Sequence, residues 1–182
     1  MFKNKKALWG GLAIFIAGIL FWVAFTEALH YTNSTGFCIS CHSMQTNMRE
    51  YKETVHYKNA SGVSPGCADC HVPKAFFPKI WMKIMAYKDV LGEITGKVDT
   101  PEKFNAHRWE MASQVWEAME ASDSVTCRSC HSWDSMDLSE QDRSARKRHA
   151  RARDEGKTCI DCHKGIAHEE PDEPEEDEEP TT

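Results

Sequence analysis

The sequence predicts a mainly α chain with much irregular structure, a single N-terminal transmembrane helix and no substantial sheet. Three observations lead there. Residues Ala7 to Thr26 carry no ionisable side chain. A five-residue pattern, Cys-x-x-Cys-His, occurs four times and uses up all eight cysteines. Between these copies the apolar residues are scattered, and only a few short stretches show the three-to-four-residue spacing of a helix face.

Taken in order, residues 1–6 are basic, with Lys3, Lys5 and Lys6. The uncharged run over 7–26 that follows makes a helix about 30 Å long, enough to cross the hydrocarbon of a bilayer. The positive-inside bias keeps residues 1–6 in the cytoplasm and sends everything after Glu27 out. A cleaved signal peptide competes with this reading, but its apolar core is usually shorter and Thr26-Glu27-Ala28 is a poor A-x-A site. His30 and Tyr31 then fall at the water–lipid boundary, where amphipathic rings are common.

The repeated pattern reads Cys38-Ile39-Ser40-Cys41-His42, Cys67-Ala68-Asp69-Cys70-His71, Cys127-Arg128-Ser129-Cys130-His131 and Cys159-Ile160-Asp161-Cys162-His163. C-x-x-C-H is the attachment signature of c-type haem. Cys38, Cys41, Cys67, Cys70, Cys127, Cys130, Cys159 and Cys162 would form the thioethers. His42, His71, His131 and His163 would each reach an iron from one side. A zinc site gives no reason for His to follow the second Cys every time. A redox dithiol needs one C-x-x-C inside a βαβ pattern, which is absent from the sequence. Four covalently bound haem c groups are therefore expected. Such haem is fitted outside the cytoplasmic membrane in bacteria, so the motifs and the apolar run agree on a periplasmic domain over 27–168, tethered to the inner membrane by one span.

With 182 residues the chain is one domain with appendages. Its formal charge is −6, yet Glu169 to Glu179 hold nine acids and no base, leaving +3 on the remainder. That modest basic excess balances haem carboxylates more readily than it binds nucleic acid, for which no motif is present. The tail over 169–182 is low-complexity acid and proline and is expected to be disordered. The polypeptide between the first and last motifs is short for four porphyrins. The haems should be much of the core, and little stability is expected without them.

Within the domain, Ser61-Gly62-Val63-Ser64-Pro65-Gly66 is a turn that delivers the chain to Cys67. Apolar residues at 77, 80, 81, 84, 85, 91 and 94 follow helical periodicity, with Lys79, Lys83 and Lys88 elsewhere on the wheel. This segment either packs on haem or lies on the lipid surface. Asp99-Thr100-Pro101-Glu102 starts a helix to about Ala121 whose apolar stripe includes His107. Ser139-x-x-Asp142 opens another helix, through Arg153 and closed by Gly156. Its bases, Arg143, Arg146, Lys147, Arg148, Arg151 and Arg153, are a solvated face, partners for propionates or a dock for an acidic protein.

The motifs fall into two pairs, Cys38 to Cys67 spanning 29 positions and Cys127 to Cys159 spanning 32. In each pair the second motif is C-x-D-C-H and has a histidine shortly before it: His56 is 11 before Cys67 and His149 is 10 before Cys159. This reads as two duplicated dihaem units, about 30–98 and 99–168. Low-potential haem takes a second imidazole on its far side. The repeat nominates His56 and His149 for that role, His168 comes next, and Lys74 is a further candidate because burial against haem favours its neutral amine.

The anchor, Phe37-Cys38-Ile39-Ser40-Cys41-His42-Ser43-Met44, Cys67-Ala68-Asp69-Cys70-His71-Val72-Pro73, Lys88-Asp89 and Thr158-Cys159-Ile160-Asp161-Cys162-His163-Lys164-Gly165-Ile166-Ala167-His168 together resemble the NapC/NirT family of membrane-anchored tetrahaem quinol dehydrogenases. The resemblance runs from Met1 to His168, and Asn105-Ala106-His107-Arg108 leans toward the NapC-like branch. It implies oxidation of a membrane quinol, the substrate, and delivery of electrons to a periplasmic reductase or its cytochrome subunit, typically for nitrate or nitrite. In some members the methionine matching Met44 takes the proximal site of the first haem. A residue matching Asp89 sits over its open face, and a lysine matching Lys83 lies near the quinol. Members similar to NapC commonly carry histidine where Lys74 stands. Competing functions are a pure haem relay without a quinol site and a multihaem reductase of small molecules. The expected partners are thus quinol, a periplasmic reductase and the lipid bilayer, and the chain could also self-associate as a homo-oligomer.

Overall fold

The computed structural model describes residues 5–174. Among them there are only helices, turns and bends, with no strand. Most of the expected acidic tail lies outside the described residues.

The first helix, α1 (Lys5–Tyr31), is longer than the uncharged run that nucleates it and buries none of its residues against the rest of the chain. Its mean hydropathy of 2.2 over an 18-residue window makes it long and apolar enough to cross a bilayer. At its end the chain turns into α2 (Thr35–Cys38), capped by the Ser34 hydroxyl, which accepts the Phe37 N–H at 3.2 Å. The segment α3 (His42–Tyr51) begins on the histidine of the first motif.

Two of the motifs carry their own cap. The short helix α4 (Cys67–His71) starts at Gly66, whose N–H donates to Asp69 Oδ2 at 2.8 Å. At the fourth motif Thr158 N–H donates to Asp161 Oδ2 at 2.6 Å. The aspartate of C-x-D-C-H therefore satisfies an orphan donor where its own turn begins. This gives the repeated motif a local reason.

The periodic stretch after His71 is two helices rather than one. The first, α5 (Phe76–Met85), and the second, α6 (Tyr87–Ile94), meet at Ala86, where ψ of −5° ends the α-helical bonding. A break also divides the helix expected from Thr100 onward into α7 (Pro101–Ala106) and α8 (Arg108–Ala121) at His107, whose Nδ1 lies 2.9 Å from the Lys103 carbonyl oxygen. Pro101 sits at the start of α7, and the Thr100 hydroxyl accepts the Lys103 N–H, as the sequence suggested. After α8 the backbone passes through two left-handed residues, Asp123 (φ 53°) and Ser124 (φ 49°), into α9 (Val125–Arg128). The last helix, α10 (Arg143–Asp154), starts from Asp142, whose carboxylate accepts the N–H groups of Ser144 and Ala145 at 2.8 and 3.0 Å. Ser139 lies instead in one of two short 3-10 turns.

Protein atoms make little core. Among the described residues the buried apolar side chains are Tyr51, Val98, Phe104 and Ile160. The motifs themselves form the axis: α2 packs on α4, and α4 on α9. The fully buried Ser124, beside the third motif, accepts the N–H of Ile160, inside the fourth, at 3.2 Å. The four motifs thus follow one another in space in their sequence order.

Candidate functional site

Three pairs of imidazoles stand facing each other, and every pair contains one motif histidine. His56 and His131 have ring centroids 6.1 Å apart with planes at 89°. His71 and His168 are 6.1 Å apart at 29°. His149 and His163 are 5.9 Å apart at 28°. A metal–imidazole bond is about 2 Å and the ring centre lies about 1.1 Å further on, so two rings on one metal sit about 6 Å apart. All three pairs have that spacing.

Each ring that faces a motif histidine keeps one nitrogen free for a metal among the described residues, Nδ1 in His56 and His168 and Nε2 in His149. The Nδ1 atoms of His56 and His168 are buried without a hydrogen-bond partner among the described residues. Buried polar atoms are nearly always partnered, and a redox or metal site is one of the few contexts that explains the exceptions. His149 Nδ1 lies 2.6 Å from Gln141 Oε1, which accepts its proton and leaves Nε2 as the basic nitrogen. The residues present therefore fit four haems: eight thiols, four motif histidines and three opposing imidazoles. His30 and His107 pair with no ring, and no imidazole stands opposite His42 among the described residues. Lys74 is exposed in the bend after α4, and the ring across from His71 is that of His168.

Two of these pairs draw on both halves of the chain. His168 is brought to His71 by a clamp. Arg108 of α8 binds Glu50 of α3 through two parallel contacts, Nη1 to Oε1 at 2.7 Å and Nη2 to Oε2. Arg108 Nη2 also donates to the Glu169 carbonyl oxygen at 2.8 Å, and the Glu169 N–H donates to Glu50 Oε2 at 2.9 Å. Both side chains of the ion pair are 14 % exposed. Burial alone would raise the Glu50 carboxyl, but the Arg108 guanidinium and the Glu169 N–H outweigh it and hold its pKa below the ordinary glutamate value. Sequence reasoning missed this clamp because its members lie far apart along the chain and fit no short motif.

The first motif has different surroundings. Lys83 Nζ donates to the Thr32 hydroxyl at 2.8 Å, just past the end of α1, and its charge reaches Cys38. Partial burial lowers the Lys83 pKa. Glu93 Oε1 accepts the His42 N–H at 2.8 Å, docking α6 on the motif, while Glu93 Oε2 is buried and unpartnered among the described residues. Asp89 lies one turn before Glu93 on the same face of α6. Lys83 and Asp89 thus sit on two helices across the Ala86 break rather than on one. Asp89 is exposed by area, yet the atoms crowding its carboxyl raise its pKa above the ordinary aspartate value, with Lys88 acting in the opposite direction. Met44, one turn into α3, is half-buried, with its sulfur 3.8 Å from Asn47 Nδ2.

The surface beside this motif is apolar. Phe77, Trp81, Ile84, Leu91 and Ile94 of α5 and α6 are exposed, Phe77 by 81 %. Phe76 stacks obliquely on Trp22 of α1, with centroids 6.5 Å apart, which joins this surface to the apolar helix.

Residues 2–173 match the family described as NapC/NirT cytochrome c family, N-terminal region. The chain is 58 % identical over 163 residues to a protein of Allochromatium vinosum named as a tetraheme cytochrome of the c type, which covers 90 % of this chain and 89 % of that one. It is 53 % identical to the cytochrome c-type protein NapC of Haemophilus influenzae (86 % and 78 % covered) and 50 % identical to the denitrification system component NirT of Stutzerimonas stutzeri (90 % and 83 % covered). Of the cytochrome c-type protein TorY of Escherichia coli, 49 % identical, it spans 44 % of the length. No solved structure matches the chain.

Proposed function

The chain belongs to the NapC/NirT cytochrome c family, and from that premise we infer that it oxidises a membrane quinol and hands the electrons to a periplasmic terminal reductase, foremost the periplasmic nitrate reductase system. The similarity to NapC supports nitrate. The similarity to a denitrification component supports nitrite or another periplasmic reductase as the second reading. In this reading α1 spans the inner membrane and the haem domain lies in the periplasm.

The observation that carries the proposal is the contrast at the first motif: Lys83 bonded to Thr32 at the end of the apolar helix, Asp89 one helix on, and no imidazole opposite His42 among the described residues. A quinol loses two protons with its two electrons, so its site needs a proton acceptor beside an accessible metal. Haem iron, when bound, supplies the one-electron acceptor at each motif. Asp89 takes the quinol proton, and its raised pKa brings the carboxylate nearer to that task than an ordinary surface aspartate. Lys83 holds a quinol oxygen and steadies the negative charge that grows there as the proton leaves. Met44 and His42, both on α3, would be the residues to hold the first iron, with Asp89 of α6 as the base beside it. At the other three motifs His71 with His168, His131 with His56, and His163 with His149 would hold the iron, while Lys74 stays outside the ligand set.

The test is rapid mixing of the oxidised holoprotein in lipid discs with a menaquinol or ubiquinol analogue. Fast haem reduction that Asp89→Asn or Lys83→Ala suppresses is expected. Haems that stay oxidised with quinol, yet reduce with dithionite, would leave a relay that another subunit feeds.

A further inference from the structure

Resting on the reading of this chain as an electron donor, we propose that the outward face of α10 is the docking surface for an acidic redox protein, which takes its electrons from the His149–His163 end of the array. The helix has two unlike sides. Ala145, His149 and Ala152, at the spacing of one face, are partly covered by the rest of the chain, and Gln141 and His163 hold the His149 ring there. Arg143, Arg146, Lys147, Arg148, Arg151 and Arg153 are all exposed. Of these six, Arg153 alone has an ionic partner within 4 Å among the described residues, Asp134 at 3.6 Å.

Helix stability accounts for only part of this concentration: Arg151 and Arg153 suit the last turn, and Arg146 and Arg148 favour the Asp142 carboxylate at the first. Arg143, Lys147 and Arg151 follow each other at i, i+4 and i+8, where like charges destabilise a helix. They lie on the side opposite His149, about one helix diameter, roughly 10 Å, from the imidazole. A partner seated on them comes close to the last metal position of the array. A basic surface with so few ionic partners among the described residues attracts a negatively charged protein and orients it on approach.

The same charges fit a membrane poorly. No residue of α10 is among the exposed large apolar side chains, whereas α5 and α6 carry eight of them. A membrane-surface helix needs an apolar face beside its bases, which α10 lacks. The exchange itself is simple in balance: one ferrous haem becomes ferric, the partner's centre gains one electron, and no proton or bond moves.

The experiment uses the full-length holoprotein, reduced beforehand with dithionite, and two one-electron acceptors: plastocyanin, an acidic blue-copper protein, and mitochondrial cytochrome c, a basic one. At low ionic strength the wild type should reduce plastocyanin quickly, with a rate that falls about tenfold or more as salt is raised. Arg143→Glu with Lys147→Glu and Arg151→Glu should slow plastocyanin about tenfold or more and speed cytochrome c, since steering alone is worth that much. The glutamine triple variant, expected to fall between, serves if charge reversal prevents folding. Unaltered rates with both acceptors would overturn the proposal. So would equal slowing with both together with shifted haem potentials, which would assign the bases to haem carboxylates. A preference for plastocyanin that emerges only on deleting residues 175–182 would also overturn it, because the chain's own acids would then be the occupant. Failure of quinol to reduce the haems bears on the functional reading alone, because this assay starts from chemically reduced protein.

Discussion

At the first motif His42 faces no second imidazole among the described residues, and the neighbouring helices turn Phe77, Trp81, Ile84, Leu91 and Ile94 outward beside an apolar helix. At the fourth motif His163 faces His149 at 5.9 Å, and the adjoining helix turns arginines and a lysine outward. One end has no ring facing its motif histidine among the described residues and is apolar at the surface; the other has a facing ring and is charged at the surface. On the proposed function this asymmetry gives electrons a direction. A lipid-soluble donor needs an apolar approach and room at iron, whereas a water-soluble acceptor needs only an outer surface near a closed site.

The largest effects should come from removing chemistry at the open end. Asp89→Asn is expected to slow haem reduction by quinol about 10²–10⁴-fold, the usual contribution of a positioned base, while dithionite reduction is unchanged. The wild-type rate should also fall as pH is lowered, because the protonated carboxyl cannot accept. Since the Asp89 pKa is raised, the decline sets in at a higher pH than for an ordinary aspartate, and Asp89→Asn should abolish that limb. A wild-type rate that is flat across the acid range would remove Asp89 from the role.

At the closed positions the effects are selective. His149→Ala should delete one low-spin signal from the electron paramagnetic resonance spectrum, and His56→Ala and His168→Ala one each. Lys74→Ala should delete none. Loss of a low-spin signal in Lys74→Ala would restore the lysine as a ligand. The wild-type spectrum should itself be divided, because His56 and His131 are perpendicular and the other two pairs are near-parallel. One strongly anisotropic signal and two rhombic ones are expected.

The clamp sharpens the comparison more gently. Arg108→Ala leaves Glu50 with its partner gone and two of its three hydrogen bonds lost, a change that typically costs about 3–5 kcal/mol when the pair is buried. The 14 % exposure of both side chains puts the expectation at the low end. The His71–His168 signal should broaden or vanish while the His149–His163 signal stays. Because the Glu50 pKa is depressed, its stabilisation is full above the ordinary glutamate value and is lost as pH falls from there through the folded-state value. Denaturant unfolding of the wild type against pH should show that loss, and Arg108→Ala should lack it. The smallest effect belongs to His107, which pairs with no ring and whose Nδ1 meets only the Lys103 carbonyl oxygen. His107→Ala should leave all haem signals in place.

Much of the fold could be read from sequence because its causes are local. The uncharged run, the Thr100-Pro101 start and Gly156 act within a turn or two of where they stand, whereas the start read at Ser139 falls three residues early, since Asp142 caps α10. The breaks at Ala86 and His107 were hidden, as neither residue is a glycine or proline and no local signal marks them. The candidate site divides in the same way. Lys83, Asp89 and the three outlying histidines were all nominated from sequence. Glu93, Gln141 and the Glu50–Arg108 clamp were not, since each acts through a contact whose partner is set by packing.

The sequence by itself determined where porphyrin can be fixed, because C-x-x-C-H is a covalent instruction complete within five residues, and it determined which segment is apolar enough to cross lipid. Only the tertiary structure decided which histidine meets which motif. Along the chain His56 precedes the second motif as His149 precedes the fourth; in space His149 stands against His163 of that fourth motif, whereas His56 stands against His131 of the third and His168 crosses over to His71. A second imidazole is selected by where packing delivers it, with no covalent rule to tie it to its neighbours in the chain, so no spacing along the sequence could have settled the pairing.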